Sequence, residues 1–322
     1  MTAIAKIFAG ASPNIPLQWD TTNWCRISEH IRRLQMRIAK AFREGKHGKA
    51  KALQWLLTHS FSAKLFAVKR VVQNQGAKTP GVDNIVWNTP DKKMNAAISL
   101  RRRGYQTKPL KRIYIPKKQK GKLRPLSIPV MQCRAMQALH LLSLDPIAES
   151  IADKNAYGFR PMRSTADAIG QCFRALARRS SSKYILEGDI RACFDTISHR
   201  WLLENILMDK EMLRKWLAAG YIEKGKLYPT ELGAPQGGLI SPTLLTVTLS
   251  GLEQAVKAVT KLRDKVNVCV YADDFIITGS TKRYWKIGLN LLLKPFLGKE
   301  VCRCHKRKPK SLTSMEGLIF SV

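Results

Sequence analysis

The tetrapeptide Tyr271-Ala272-Asp273-Asp274 lies between two apolar runs, Val266 to Val270 and Phe275 to Thr278. This setting predicts a β-hairpin with adjacent carboxylates at its bend. Side by side the two groups repel, so the arrangement is stable chiefly where a divalent cation lies between them and a third carboxylate. Asp189 is the candidate third. Lys183 to Ile190 reads as a β-favouring stretch ending in Gly188-Asp189, which puts a carboxylate at a strand exit from which it can converge on the hairpin. Three carboxylates holding two hard cations perform metal-assisted phosphoryl transfer: one ion acidifies an attacking 3′-hydroxyl, and both stabilise the charge of an in-line displacement on a triphosphate. Asp is also an ordinary turn residue, so the tetrapeptide needs support from the rest of the chain.

The elements that must position these groups are partly legible. Ile27, Ile31, Leu34, Ile38 and Phe42 recur at helical spacing with Arg32, Arg33, Arg37, Lys40 and Arg43 between them. Gly45 to Gly48 breaks the pattern and a second helix follows through Ala52, Leu53, Leu56 and Leu57, giving a basic helical hairpin. A loop around Gly76 to Gly81 leads to a helix through Met94 to Leu100. Lys108 to Pro129 reads as strand, basic turn, strand, and Met131 to Ile151 as a buried helix. Tyr157 to Pro161 is a loop feeding a helix capped by Ser164 or Thr165. Gly233 to Pro242 joins turn residues to an apolar helix start, a backbone suited to close approach to a ligand.

The composition narrows the partner class. The 322 residues carry 56 Lys and Arg against 23 Asp and Glu, a formal charge of +33, which predicts a polyanion partner. Basic residues run along nearly the whole length rather than along one amphipathic helix, which favours nucleic acid over a membrane surface. There is no run of 18 or more apolar residues, and Ile4 to Ala11 is too short for a secretion signal, so a cytoplasmic protein is expected. The seven cysteines (25, 133, 172, 193, 269, 302 and 304) are scattered and odd in number, which predicts buried thiols rather than disulfides.

With these residues in place, the chain resembles the reverse transcriptases encoded by group II introns. The likeness runs from about Trp19 to about Leu297. It passes through Ser62-Ala63-Lys64-Leu65, Gly81-Val82-Asp83, Ile115-Pro116-Lys117, Arg124 to Pro129, Tyr157 to Pro161, Gly188-Asp189-Ile190, Pro235 to Gly238 and the Tyr-Ala-Asp-Asp. The resemblance implies an α+β right-hand polymerase. Its helical N-terminal extension covers residues 1–80 and its fingers and palm residues 81–297. It implies an RNA-directed DNA polymerase that also binds and helps splice intron RNA, with Asp189, Asp273 and Asp274 catalytic. Two Mg²⁺ ions would be held by Asp189, Ile190, Asp273 and Asp274. Lys117, Arg124 and Gln236 would contact the incoming nucleotide. The ring of Phe194 would exclude a ribose 2′-hydroxyl. Arg160 and Arg163 would lie along the template, and the basic hairpin with Arg32, Arg33 and Arg37 on intron RNA or template. The partners implied are an intron RNA template, a DNA or RNA primer and deoxynucleotides. A membrane is not among them, and a homodimer is compatible with the sequence. Cys193 stands where the family usually has an aromatic residue.

After Leu297 the chain departs from the family. Residues 298–322 form a basic tail in which Cys302, Cys304 and His305 mimic half a zinc site without a second pair of ligands. Shifted by two bases, permitted codons from Lys299 onward spell RGLSLSQEKTQVTYIDGGLDFLG, which resembles the missing palm segment of the family. The expectation is a tail translated out of frame, no thumb, and weakened activity because primer and template are poorly held.

Overall fold

The computed structural model describes residues 18–280 apart from 117–120, 122, 183, 191 and 192, and describes Asp189 by its backbone alone. In chain order the elements begin with α1 (Trp24–Arg43), α2 (His47–His59), α3 (Phe61–Val72), α4 (Pro90–Ser99), β1 (Leu110–Pro116), β2 (Leu123–Ile128), α5 (Met131–Ile151), α6 (Thr165–Leu176) and β3 (Tyr184–Asp189). There follow α7 (Cys193–Thr196), α8 (His199–Asn205), α9 (Lys210–Leu217), β4 (Tyr221–Glu223), β5 (Lys226–Tyr228), α10 (Ser241–Leu249), α11 (Leu252–Ala258), β6 (Asn267–Tyr271) and β7 (Asp274–Gly279). The mixture of helices with mainly antiparallel sheet agrees with the expected α+β class. The chain divides into two compact units, residues 1–150 with 199–244, and residues 151–198 with 245–322. The tail expected to be out of frame lies outside the described residues.

The first unit is built on the basic helical hairpin. Ile27, Ile31, Leu34, Ile38 and Ala41 form the buried stripe of α1, and its N-terminus is capped by the Asn23 side chain, which accepts from the Arg26 N–H. Helix α4 begins earlier than the apolar pattern suggested, because Thr89 caps it and Pro90 presets its first turn. Strands β1 and β2 pair antiparallel from Lys111↔Ile128 to Pro116↔Leu123, as expected. The sheet then continues through a parallel pairing of β1 with β4, giving the order β2-β1-β4-β5.

The buried helix α5 is the spine of this unit. Its buried polar residues Arg134, Gln137 and Ser143 are hydrogen-bonded, as burial requires. Arg134 donates to the carbonyls of Pro129, Gly76 and Thr79 at 2.7, 2.8 and 2.6 Å, fastening the loop before α4. From α1 and α2, Gln35 and Gln54 donate to the carbonyls of Leu142 and Ser143. His140 packs edge-on against Trp216, and burial lowers its pKa to about 4.

Asp145 of α5 accepts from Thr243 and lies near Arg70, yet burial outweighs both and raises its pKa to about 6. A carboxyl whose folded pKa is raised binds more protons folded than unfolded. Its unfavourable contribution therefore appears as pH rises from about 4 to about 6 and is constant above that. Asp145→Asn is expected to gain stability over the parent progressively across this window. The gain reaches about 3 kcal/mol, two pKa units at 1.36 kcal/mol each. Paired urea melts at pH 4.5 and 7.5 check it, and an equal difference at both values refutes it.

The second unit carries a three-stranded antiparallel sheet in the order β3-β7-β6. Central β7 is buried from Phe275 to Gly279, which explains its unbroken apolar run where a surface strand would alternate. Ser164 caps α6 in a reciprocal capping box with Asp167. That helix sets Ala168 and Cys172 against Cys269 and Ile276, with Tyr157 completing the cluster. Among the described cysteines, Cys133, Cys172, Cys193 and Cys269 are buried and Cys25 is exposed, and none of the five is in a disulfide.

Candidate active site

Strands β6 and β7 form the expected hairpin, with Tyr271 paired to Asp274 and only Ala272 and Asp273 in the turn. Asp274 is therefore the first residue of β7 rather than part of the bend. The register of β3 against β7 runs from Tyr184↔Gly279 to Asp189↔Asp274, so Asp189 ends its strand directly opposite Asp274. Directly opposed positions share one face of a sheet. The N–H of Ile190 donates to the carbonyl of Asp273 at 3.1 Å, tying the exit of β3 to the turn. Backbone pairing alone thus gathers positions 189, 190, 273 and 274 at one end of the sheet. Asp273 and Asp274 are partly exposed. Among the described side chains no three of His, Cys, Asp or Glu converge; the strand register sets position 189 opposite position 274. The donors at these positions are all oxygen, a set suited to hard divalent cations and not to soft metals.

Two glycines allow this geometry. A Cβ on Gly188 would meet the Phe275 ring at 2.2 Å, so the ring lies across the glycine of the paired strand just before Asp189. A Cβ on Gly158 would meet the backbone nitrogen of Ala272 at 2.1 Å. Ala272 itself sits at φ +58, a left-handed conformation that costs an L-residue roughly 1–2 kcal/mol and marks a turn held by its surroundings.

Those surroundings come from residues 153–160. Asn155 and Tyr157 exchange backbone hydrogen bonds with Val270, extending the sheet by a parallel bridge at Ala156. Asn155 is itself held by Glu253, to which it donates from its backbone and side-chain nitrogens at 3.3 and 3.0 Å. Asp153 accepts from the N–H groups of Gly251 and Glu253 at the start of α11, and burial raises its pKa.

The remaining expected site residues are placed as follows. Phe194 is buried, with its ring edge-on to Phe159 at 6.0 Å, and Cys193 beside it is buried too. In the first unit, exposed Arg124 donates from Nε to Oε1 of Gln236 at 3.2 Å. The Gln236 carbonyl accepts from Ser127, and a Cβ on Gly237 would meet the Ser127 oxygen at 2.5 Å. The glycine turn is thus seated on the end of β2, bringing these two expected nucleotide contacts together. Lys117 lies outside the described residues. Arg32, Arg33 and Arg37 are exposed on α1, with Arg33 in an exposed pair with Glu29. Arg163 is exposed, whereas Arg160 is only 9% exposed and donates to the carbonyls of Asp153 and Ala156 at 2.8 and 2.6 Å. The Asp153–Asn155–Glu253 network is not legible in the sequence, because its members are ordinary polar residues and Glu253 is far from the other two in the chain. Gly158 was the one available signal, as a glycine in a loop.

Residues 19–100 match the N-terminal domain of reverse transcriptase, and residues 115–314 match the reverse transcriptase (RNA-dependent DNA polymerase) domain. The second match enters the segment read as out of frame. Protein YkfC of Escherichia coli strain K12 is 31% identical over 66% of this chain and 66% of its own length. The group II intron-encoded protein LtrA of Lactococcus lactis subsp. cremoris is 33% identical over 59% of this chain and 33% of its own. The chain therefore spans between a third and two thirds of these relatives. A structure of telomerase from Candida albicans in complex with a fragment of telomeric RNA aligns at TM-score 0.43 and 14% identity. That alignment covers 60% of this chain and 42% of that one.

Proposed function

This chain belongs to the reverse transcriptase (RNA-dependent DNA polymerase) family, and from that membership we propose an RNA-directed DNA polymerase of the group II intron-encoded kind. It would add deoxynucleotides to a primer 3′-hydroxyl on an RNA template and bind intron RNA as its natural partner. The observation that carries the reading is the strand register that opposes Asp189 to Asp274 beside Asp273.

Asp189, Asp273 and Asp274, with the carbonyl of Ile190, would hold Mg²⁺, for which an oxygen-only set is suited. When bound, two such ions supply acidification of the primer hydroxyl and neutralisation of the developing phosphoryl charge. The protein's own part is positioning, which dominates catalysis of phosphoryl transfer. The hairpin turn fixes two carboxylates relative to each other, and the bond from Ile190 to the Asp273 carbonyl fixes the third strand to them. Lys117 and Arg124 are assigned to the incoming triphosphate, Arg through its planar fork of donors and Lys as a mobile point charge, with Gln236 beside Arg124. Arg32, Arg33, Arg37 and Arg163 are assigned to RNA phosphates, for which their exposure suits them. None of the described helices is long and apolar enough to cross a membrane.

The test is primer extension on an RNA template with Mg²⁺ and deoxynucleotides at low salt. Extension supports the reading; intact RNA binding without extension replaces it with an RNA-binding module. Phe194 gives a sharper check. If its ring excludes the 2′-hydroxyl, Phe194→Ala lowers the preference for deoxy- over ribonucleotides by roughly tenfold or more. Equal loss of both activities would assign Phe194 to core packing alone.

A further inference from the structure

We propose that Arg160 is a positioning residue of the catalytic hairpin rather than a contact for the template, acting through Gly158 on the turn that carries Asp273. The proposal rests on the polymerase reading for its kinetic consequences but not for its structural ones.

The residues form a continuous chain of contacts within one compact unit. One terminal nitrogen of the Arg160 guanidinium donates to the carbonyls of both Asp153 and Ala156, closing residues 153–160 into a loop around a buried cation. A charged donor satisfying two backbone carbonyls makes stronger hydrogen bonds than a neutral one. The carbonyls it holds bracket Asn155, whose own carbonyl accepts from Val270 at 2.9 Å, and Tyr157 donates back to Val270 at 2.8 Å. The loop is thereby a short added strand on β6, in register two residues before Ala272. Gly158 follows directly, its Cα against the Ala272 nitrogen with no room for a Cβ. Behind the loop, Asp153 and Asn155 are anchored to Gly251 and Glu253 at the start of α11. Ahead of it, Phe159 reaches φ +61 and rests its ring on Phe194. The left-handed Ala272 needs a rigid neighbour, and the loop that Arg160 fastens is that neighbour.

The test compares the full chain with Arg160→Gln, Arg160→Lys and Gly158→Ala, by amide hydrogen exchange and by steady-state primer extension. Arg160→Gln is expected to speed exchange at the Ile190 and Val270 amides at least tenfold. In extension it lowers kcat at least tenfold and raises the Mg²⁺ concentration for half-maximal rate, with RNA affinity and its salt dependence unchanged. Arg160→Lys, which keeps a cationic donor, recovers part of both effects. Gly158→Ala reproduces the exchange result without touching the arginine. Unchanged exchange at both amides in Arg160→Gln overturns the proposal. So does a weaker RNA affinity with a shallower salt dependence and normal kcat, the signature of a phosphate contact. A parent chain that extends no primer sinks the polymerase reading, while the exchange data still decide the role of Arg160.

Discussion

Asp273→Asn is expected to lower primer extension by about a thousandfold or more while leaving RNA affinity within about twofold. The asymmetry follows from where the group sits. Asp273 occupies a two-residue turn, its carbonyl bonded to Ile190 and its neighbour Asp274 paired to Asp189. The substitution keeps the backbone register and removes one negative charge from the set proposed to hold cations. Metal charge stabilisation contributes several kcal/mol to such a transition state, and each 1.36 kcal/mol is a factor of ten in rate. RNA affinity depends instead on the basic excess of 56 against 23 residues spread over the chain, to which one carboxylate contributes little. Single-turnover extension and filter binding at matched salt measure the two quantities. Extension within tenfold of the parent would remove Asp273 from the catalytic set.

The second large effect lies at Gly188. An added methyl would meet the Phe275 ring at 2.2 Å, and Phe275 is 3% exposed in the central strand with nowhere to turn. Overpacking a buried site costs about 1–3 kcal/mol, which lowers the thermal midpoint of a unit this size by roughly 5–10 °C. The paired strand ends one residue later at Asp189, so relief by strand movement displaces a position proposed to be catalytic. Gly188→Ala should therefore lose both stability and extension. Combined with Phe275→Leu, which removes the ring, it should lose less than the two single changes added together, because the sites are in contact. Thermal melts of the four proteins give the coupling, and strict additivity would show that the ring does not occupy the glycine's space.

Much of this protein is determined by the sequence alone. The apolar runs flanking Tyr271-Ala272-Asp273-Asp274 and the Gly-Asp ending of β3 specify a hairpin and a strand exit from local chemistry. The basic helical hairpin, β1 and β2, and the span of α5 are equally local, since periodicity and turn residues act over a few neighbours. The family follows from the order of the motifs. What required the tertiary structure is everything set by pairing across distance. The order β3-β7-β6, the parallel joining of β1 to β4 and the opposition of Asp189 to Asp274 are choices among registers, decided by which faces can be buried together. Gly188 and Gly158 read in sequence as flexible punctuation. Each is instead a place where another strand or turn fills the space of a side chain. Arg160 is the clearest case: the family resemblance implies a template contact there, and only the folded loop shows two carbonyls accepting from it. A guanidinium goes where unsatisfied acceptors are, and those acceptors exist only once the chain has closed around them.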